Sequence, residues 1–116
     1  MRIAISSEGM DLASHVALHL GKAPYLIIFD TDQDNFRIHG NDRAPGHSDP
    51  KENRITNFLC RENIDILVTG GLAPENSTLL TSRGIKMLLW AEGTVSQAII
   101  KARDKAPKTT ASRDKL

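Results

Sequence analysis

The sequence predicts an α/β domain built on a mixed five-stranded sheet with helices on both faces. After residue 50, short apolar runs alternate with helical patterns, which is typical of parallel strands joined by right-handed crossovers. Before residue 40, two apolar runs are joined by a short polar link, which predicts a hairpin and therefore an antiparallel strand. The chain has 116 residues, which is enough for one domain with its own hydrophobic core.

The first two strands flank a segment without clear periodicity. Residues 2–6 (RIAIS) have the pattern of a short buried strand. Residues 7–23 are expected to be irregular, with a helical turn around Ala13 to Leu18. The second strand is predicted from Pro24 to Asp30, because Tyr25 to Phe29 are consecutive strand-forming residues.

The third strand completes the hairpin. Residues 31–34 (TDQD) provide the turn, and Phe36 and Ile38 then alternate with Arg37 and His39. Alternation with a period of two predicts a strand with one solvent-exposed face. We expect the exposed face to carry the polar pair, including His39.

The first long helix is expected after a loop at residues 40–50 (GNDRAPGHSDP), which is rich in Gly, Pro, Asp and Asn. Asp49 is placed to cap the helix, Pro50 takes its first position, and Glu52 completes a capping-box pattern. Its buried stripe consists of Ile55, Phe58 and Leu59.

Two strands and a helix follow. Ile64 to Thr69 is nearly all apolar and is followed by Gly70-Gly71, which predicts a strand buried on both faces. Pro74 starts the next helix, and Gly84 is well placed as its C′ residue. Residues 85–90 (IKMLLW) form the last strand.

The last helix is predicted from a capping box formed by Thr94 and Gln97. Its apolar residues recur at helical spacing: Val95, Ala98, Ile99 and Ala102. The sequence from Pro107 onward is polar and has no apolar periodicity. We therefore expect one α/β domain at residues 1–103 and a flexible tail at residues 104–116.

The composition argues against several classes of protein. The formal net charge of +1 lacks the basic excess of a nucleic-acid binder. No apolar run approaches the roughly 18–20 residues of a membrane span, and no leader pattern begins the chain, so we expect a cytoplasmic protein. Cys60 is the single cysteine, so an internal disulfide and a four-thiolate iron–sulfur site are excluded.

His19 is the most informative candidate residue. It begins the run HLGKAPYLIIFD, and its His-x-Gly-Lys-Ala-Pro lead-in is more than a strand requires. A neutral imidazole suits iron, copper or zinc, and it can also donate a hydrogen bond to a cluster sulfide. The alternative is a loop histidine that bonds nearby backbone. His15 makes an HxxxH pair with His19, but a structural role is the better interpretation for it.

The turn Gly70-Gly71-Leu72-Ala73-Pro74 is the second candidate. Ala73 is a poor N-cap, so the first N–H groups of the helix are left for an anion or a cluster sulfide, with Asn76 to assist. The alternative is a tight turn that needs glycine. Arg2 and Lys22 are cations expected near the same strand ends. Cys60 is expected to pack as a small hydrophobe.

Several segments resemble one known family in the same order along the chain. HLGKAPYLIIFD resembles the His-Phe-Gly-Arg-Ala-Pro-Tyr-Phe segment of the dinitrogenase iron–molybdenum cofactor biosynthesis family. Other segments of the family are matched in the same order over roughly residues 1–103, by MRIAISSEG, Gly46-His47, DILVTGGLAPEN and GIKMLLWAEGTVSQAI. Two departures are Ser48-Asp49-Pro50, where members often have glycines, and Leu20, where they have phenylalanine.

The resemblance implies a ribonuclease H-like three-layer fold with strand order 3-2-1-4-5. It implies a small non-catalytic protein that carries a metal–sulfur cluster, or its precursor, containing molybdenum with iron or copper. The expected partners are cofactor assembly or recipient proteins, and the expected state is a monomer or weak homodimer. The implied metal ligands are His19 and His47. The implied cluster- or anion-contacting residues are Gly21, Lys22, Gly70, Gly71 and Asn76.

Two other functions are possible interpretations of parts of the sequence. A metal-free regulatory or protein-interaction module is the main alternative, because the hairpin edge and the basic tail suit a protein partner. A two-metal nuclease would need clustered carboxylates, and the first strand contains none. No Ser–His–Asp pattern or nucleophile elbow is present.

Overall fold

In a computed structural model, which describes residues 1–40 and 51–105, five strands form a single mixed sheet. The strands are β1 (Arg2–Ser7), β2 (Tyr25–Asp30), β3 (Asn35–Gly40), β4 (Ile66–Thr69) and β5 (Lys86–Leu89). The helices are α1 (Lys51–Arg61), α2 (Pro74–Ser82) and α3 (Val95–Lys105), and a 3-10 turn spans Leu20–Lys22.

The strand order is β3-β2-β1-β4-β5, which confirms the predicted order. β2 is antiparallel to β1 and to β3, whereas β4 is parallel to β1 and to β5. The short link between β2 and β3 enforces the hairpin, and the helical connections allow the parallel pairs. As a result β1, β4 and β5 all end at the same edge of the sheet, where ligand sites of open α/β sheets usually form.

Helices cover both faces of the sheet. Alternation along β1 sends Ile3 and Ile5 to one core and Ala4 to the other. The first core lies under α3 and includes Val95, Ala98, Ile99 and Ala102. The second core lies under α1 and α2 and includes Ile55, Leu59 and Leu80. No helix in the described part of the chain is long and apolar enough to cross a membrane.

The predicted helix signals are confirmed where the structure describes them. The Thr94 N–H donates to Gln97 Oε1 at 2.9 Å, and the Gln97 N–H donates to Thr94 Oγ1 at 3.2 Å. Pro74 stands at the start of α2, and Gly84 has a φ of 80° just beyond the C-cap. A positive φ there is the left-handed conformation that favours glycine at C′.

The helical turn expected at Ala13 to Leu18 is wrong. Residues in this segment instead pair with distant backbone: the Val16 N–H donates to the Gly93 carbonyl at 2.9 Å, and the Ser14 carbonyl accepts from the Val95 N–H at 2.8 Å. Backbone groups engaged in such long-range bonds cannot also form the hydrogen bonds of a helix. The Ser14 N–H donates to the Asp11 carbonyl at 3.1 Å and closes an earlier turn, and the 3-10 turn lies later, at Leu20–Lys22.

The expectation that His39 lies on the solvent-exposed face of β3 is also wrong. His39 stacks on Phe58 of α1 with ring centroids 3.9 Å apart, so it does not face open solvent. Phe36 and Ile38 are 38% and 42% exposed. The reason is that α1 extends over the polar side of β3, where Arg37 also reaches its helix end, whereas α3 packs mainly on β1 and β4.

Some expectations lie outside the described residues. These are the loop around Gly46 and His47, the Asp49 cap, and the tail beyond residue 105. α3 ends at Lys105, two residues beyond the predicted domain boundary at 103.

Candidate functional site

The 3-10 turn between β1 and β2 carries three of the predicted site residues. His19 is its N-cap, with an extended backbone, and its Nδ1 accepts a hydrogen bond from the Gly21 N–H at 3.1 Å. Leu20 is fully buried and anchors the turn in the core, while Lys22 is exposed. The turn therefore holds a half-buried imidazole and a solvent-facing ammonium group side by side.

The Gly21 contact decides which chemistry His19 offers in this conformation. A neutral imidazole that accepts at Nδ1 must carry its proton on Nε2. Nε2 is then an N–H donor and has no lone pair for a metal. Metal ligation through Nε2 requires the proton to move to Nδ1, which breaks the bond to Gly21. The geometry therefore favours His19 as a donor to an anionic sulfur or oxygen over His19 as a metal ligand.

The segment before this turn is fixed against the end of β4. The Gly70 N–H donates to the Ala17 carbonyl at 3.1 Å, and the Leu20 N–H donates to the Gly71 carbonyl at 2.9 Å. A Cβ at Gly70 would lie 2.3 Å from the Leu18 carbonyl oxygen, a backbone atom. Glycine is needed at position 70 for space, and its N–H is already engaged, so Gly70 shapes the site without offering a donor.

The start of α2 differs from the start of α3. Ala73 provides no side-chain cap for α2, and within residues 1–40 and 51–105 no group accepts from the N–H of Gly71 or Leu72. The first N–H groups of α3 donate instead to the carbonyls of Ser14 and Leu12, in addition to its capping box. Unengaged N–H groups near a helix start suit an anion. Among the described residues, the Gly71 and Leu72 N–H groups just before α2 meet this condition, whereas the first N–H groups of α3 do not.

Asn76 has a structural partner. It is 7% exposed, and its side-chain N–H donates to Asn53 Oδ1 of α1 at 3.1 Å. This bond braces the first turn of α2 against α1. Asn76 thus holds the first turn of α2, which follows Gly71 in the chain, against α1.

Arg2 does not lie near the predicted site, contrary to expectation. It begins β1, at the opposite edge of the sheet, where its guanidinium donates to the Glu62 carbonyl at 2.6 Å. The Arg2 N–H also donates to Asp65 Oδ2 at 2.9 Å. Of the two cations considered, Lys22 alone stands beside His19.

The other candidates are not assembled around His19. His15 Nδ1 lies 2.7 Å from the Val16 carbonyl, and the segment is not helical, so the HxxxH spacing does not place both rings on one helix face. Cys60 lines a cavity of about 240 Å³ with Arg83 and Ile85, near the starts of β4 and β5. Residues 1–40 and 51–105 contain no group of three or more His, Cys, Asp or Glu able to hold a metal ion.

Comparison with known proteins identifies the family. The model of the dinitrogenase iron-molybdenum cofactor family matches residues 1–105. The chain belongs to this family. Two solved structures are similar: the apo form of the orange protein from Desulfovibrio gigas, with 25% identity and a TM-score of 0.79, and a putative NifB protein from Thermotoga, with 28% identity and a TM-score of 0.71. Each comparison covers 90% of this chain and 88% of the other.

No curated protein matches the chain. Family membership confirms the resemblance found in the sequence and connects the chain with iron–molybdenum cofactor biosynthesis. The cluster-binding roles assigned to His19, Gly21, Lys22 and Gly71 stay predictions. The same holds for His47, which lies outside the described residues.

Sequence reasoning missed two residues beside this site. Ser6 and Thr69 are fully buried, and their side-chain oxygens lie 2.8 Å apart where β1 and β4 end. The signal was available: each strand is apolar at the preceding position on the same face, Ala4 and Leu67, and then carries a hydroxyl.

Proposed function

We propose that this protein is a small non-catalytic carrier of a metal–sulfur cluster, or of its precursor, containing molybdenum with iron or copper. The observation that carries the proposal is His19, held as an Nε2–H donor beside the Gly71 and Leu72 N–H groups that precede α2, in a member of this family. The strand order agrees with a ribonuclease H-like topology, and we propose that fold class for the chain.

The donors of this site match the cargo chemically. A thiometalate brings its own sulfides and a net negative charge, so it needs hydrogen-bond donors and cations more than it needs protein thiolates. His19, the N–H groups of Gly71 and Leu72, and the Lys22 ammonium group are of the required kind. Contacts of this type release their cargo more readily than metal–thiolate bonds, which suits transfer to another protein.

The remaining parts of the proposal follow from the family. His47 is proposed as a second imidazole, and the partners are proposed to be cofactor assembly or recipient proteins. The protein is proposed to act as a monomer or a weak homodimer. None of these roles calls for a catalytic group.

Anaerobic reconstitution tests the carrier function. Untagged protein is mixed with tetrathiomolybdate plus copper(I) or iron(II), passed through a gel-filtration column, and analysed by visible absorption and elemental analysis. The proposal predicts a coloured complex with a fixed ratio of molybdenum to protein. Folded protein that leaves the column without molybdenum under every one of these conditions would overturn it.

The second candidate is a metal-free interaction module. Phe36 and Ile38 are 38% and 42% exposed on β3, an edge strand of the sheet. Apolar side chains on an open strand edge suit pairing with another chain. Absence of molybdenum retention, combined with specific binding of a protein that is lost in Ile38→Lys, would favour this function over the carrier.

A further inference from the structure

Two hydroxyl side chains occupy core positions directly next to the proposed site. Ser6 and Thr69 have no exposed surface, and they end β1 and β4 on the face that packs under α1 and α2. The preceding residues on this face, Ala4 and Leu67, are apolar. Burial of a hydroxyl lowers stability unless it finds a hydrogen-bond partner, so the identity of those partners is informative.

The partners are carbonyl groups of the two loops that form the site. Ser6 Oγ lies 2.8 Å from Thr69 Oγ1 and 3.3 Å from the Ala17 carbonyl oxygen. Thr69 Oγ1 lies 3.5 Å from the Gly71 carbonyl oxygen. A hydroxyl donates one proton, so the pair bonds the Ala17 carbonyl in one orientation and the Gly71 carbonyl in the other.

The same carbonyls join the loops to each other. The Ala17 carbonyl accepts from the Gly70 N–H, and the Gly71 carbonyl accepts from the Leu20 N–H. The hydroxyl pair therefore lies at the centre of a network that connects the segment before His19 with the turn before α2. An aliphatic pair of the same shape would fill the core equally well, but the hydrogen bond from the hydroxyl pair to one of these two carbonyls would be lost.

We propose that Ser6 and Thr69 are positioning residues that hold His19 in register with the Gly71 and Leu72 N–H groups. The inference rests on the proposed carrier function, because its purpose is to place donors for an anionic cargo. Ser6 and Thr69 act through the two loops and do not touch the cargo.

The double variant Ser6→Ala/Thr69→Val tests the proposal, because it removes both hydroxyls and nearly keeps the shape of the core. Replacing both partners of a buried hydrogen bond by apolar groups is often nearly neutral for stability. We expect a thermal midpoint close to that of the wild type, and a loss of tetrathiomolybdate–copper affinity of about tenfold, as is typical for supporting residues around a metal site. Thr69→Ser keeps the hydroxyl and is expected to retain the affinity.

Nitrogen-15 NMR of the cargo-free protein separates this proposal from the carrier function. The double variant is expected to change the His19 ring shifts and the Gly71 amide shift. Thr31→Val removes the Oγ1 bond to the Met1 carbonyl at the opposite edge, so it serves as a matched control with unchanged shifts at the site. If the double variant fails to fold, Thr69→Val alone is measured in the same way.

Each outcome decides between the claims. Altered site shifts with weakened cargo binding support the positioning role. Unchanged shifts and unchanged affinity overturn it. Altered shifts in a protein whose wild type binds no tetrathiomolybdate support the positioning of His19 and overturn the carrier function.

Discussion

A histidine whose Nδ1 accepts a backbone N–H is restricted, when neutral, to one tautomer. His19 is held in this way by Gly21 and therefore presents an N–H at Nε2. The same ring in a loop without this contact would exchange between tautomers and could equally ligate a metal. The distinction matters for the cargo, because a donor recognises sulfide whereas a lone pair recognises the metal itself.

Substitution of His19 is the first prediction at this scale. His19→Ala is expected to reduce tetrathiomolybdate–copper retention strongly, because it removes the imidazole N–H that we propose as a donor to the cargo. His39→Ala removes a ring that stacks on Phe58, and it is expected to retain the complex with some loss of stability. Elemental analysis after gel filtration measures both. Equal retention of molybdenum in the two variants would contradict the assignment of His19 to the site.

Cys60→Ala is also expected to retain the complex, because Cys60 lines a cavity near the starts of β4 and β5, away from His19.

Adjacent glycines provide a second prediction. Gly70→Ala would place Cβ 2.3 Å from the Leu18 carbonyl oxygen, whereas Gly71→Ala would place it 3.6 Å away, at ordinary contact distance. We expect Gly70→Ala to lower the free energy of unfolding by roughly 1–3 kcal/mol, as overpacking does, and Gly71→Ala to change it much less. Urea denaturation measures both. Equal effects in the two variants would show that the close approach at Leu18 does not restrict position 70.

At the scale of elements, the loop from Leu12 to Leu20 forms hydrogen bonds with two different parts of the fold. The carbonyls of its first part accept from the first N–H groups of α3, and its last part accepts and donates hydrogen bonds at the Gly70-Gly71 turn. One loop thus satisfies the N-terminal groups of α3, while the Gly71 and Leu72 N–H groups before α2 are the ones that we propose for the cargo. The two helix starts differ because of what the loop covers, and the local sequence of each helix reinforces the difference.

The capping box of α3 can be tested separately from the cargo site. Thr94→Ala removes the acceptor for the Gln97 N–H and is expected to lower the free energy of unfolding by about 1 kcal/mol. Cargo retention should not change, because the box lies at the other helix start. Ser96→Ala, an exposed position in the same helix turn, is the matched control in urea denaturation. An equal loss in both variants would mean that the cap contributes nothing specific.

The elements show why some features could be predicted from the sequence and others could not. The capping box and the Gly84 C′ position depend on residues that are close in the chain, so a short sequence pattern is enough to predict them. The helical turn at Ala13 to Leu18 was wrong because Gly93 and Val95, about 80 residues away in the chain, bond its backbone. The expected exposure of His39 was wrong because Phe58 of α1, a distant element, stacks on its ring.

The site was predictable to a similar degree. His19 was found through a motif, because its lead-in exceeds what a strand needs. Its tautomer depends on a hydrogen bond within the turn, and the network of Ser6 and Thr69 depends on the pairing of two loops in space. Neither can be read from residue spacing alone.

At the scale of the whole molecule, the two edges of the sheet have different chemistry. The edge where β1 and β4 begin holds Arg2, Glu62 and Asp65 in a hydrogen-bonded cluster, and Arg37 joins it from β3. The edge where β1 and β4 end holds His19 and the Gly71 turn. Charge pairing thus joins residues at one edge, and the opposite edge is the one that we propose for ligand binding.

The charged edge predicts how stability depends on pH. The side-chain hydrogen bond from Arg37, 2.8 Å away, lowers the pKa of Glu62 below its ordinary value of 4.5. Because the folded pKa is the lower one, the interaction contributes fully above pH 4.5 and is lost as the pH falls through the folded pKa. The urea midpoint of the wild type should therefore fall in acid more steeply than that of Glu62→Gln. Glu8→Gln, at an exposed position, should follow the wild type, and identical slopes for all three would contradict the assignment.

The central claim is that an anionic sulfur-rich cargo binds where β1 and β4 end, and an NMR titration tests it most directly. Tetrathiomolybdate, alone and with copper(I), is added anaerobically to nitrogen-15-labelled protein. We predict saturable shifts at the His19 ring and at the amides of Gly21, Gly71 and Leu72, with little change at Arg2 or Asp65. Saturable shifts confined to the cavity around Cys60 and Arg83, or none at all, would contradict the account.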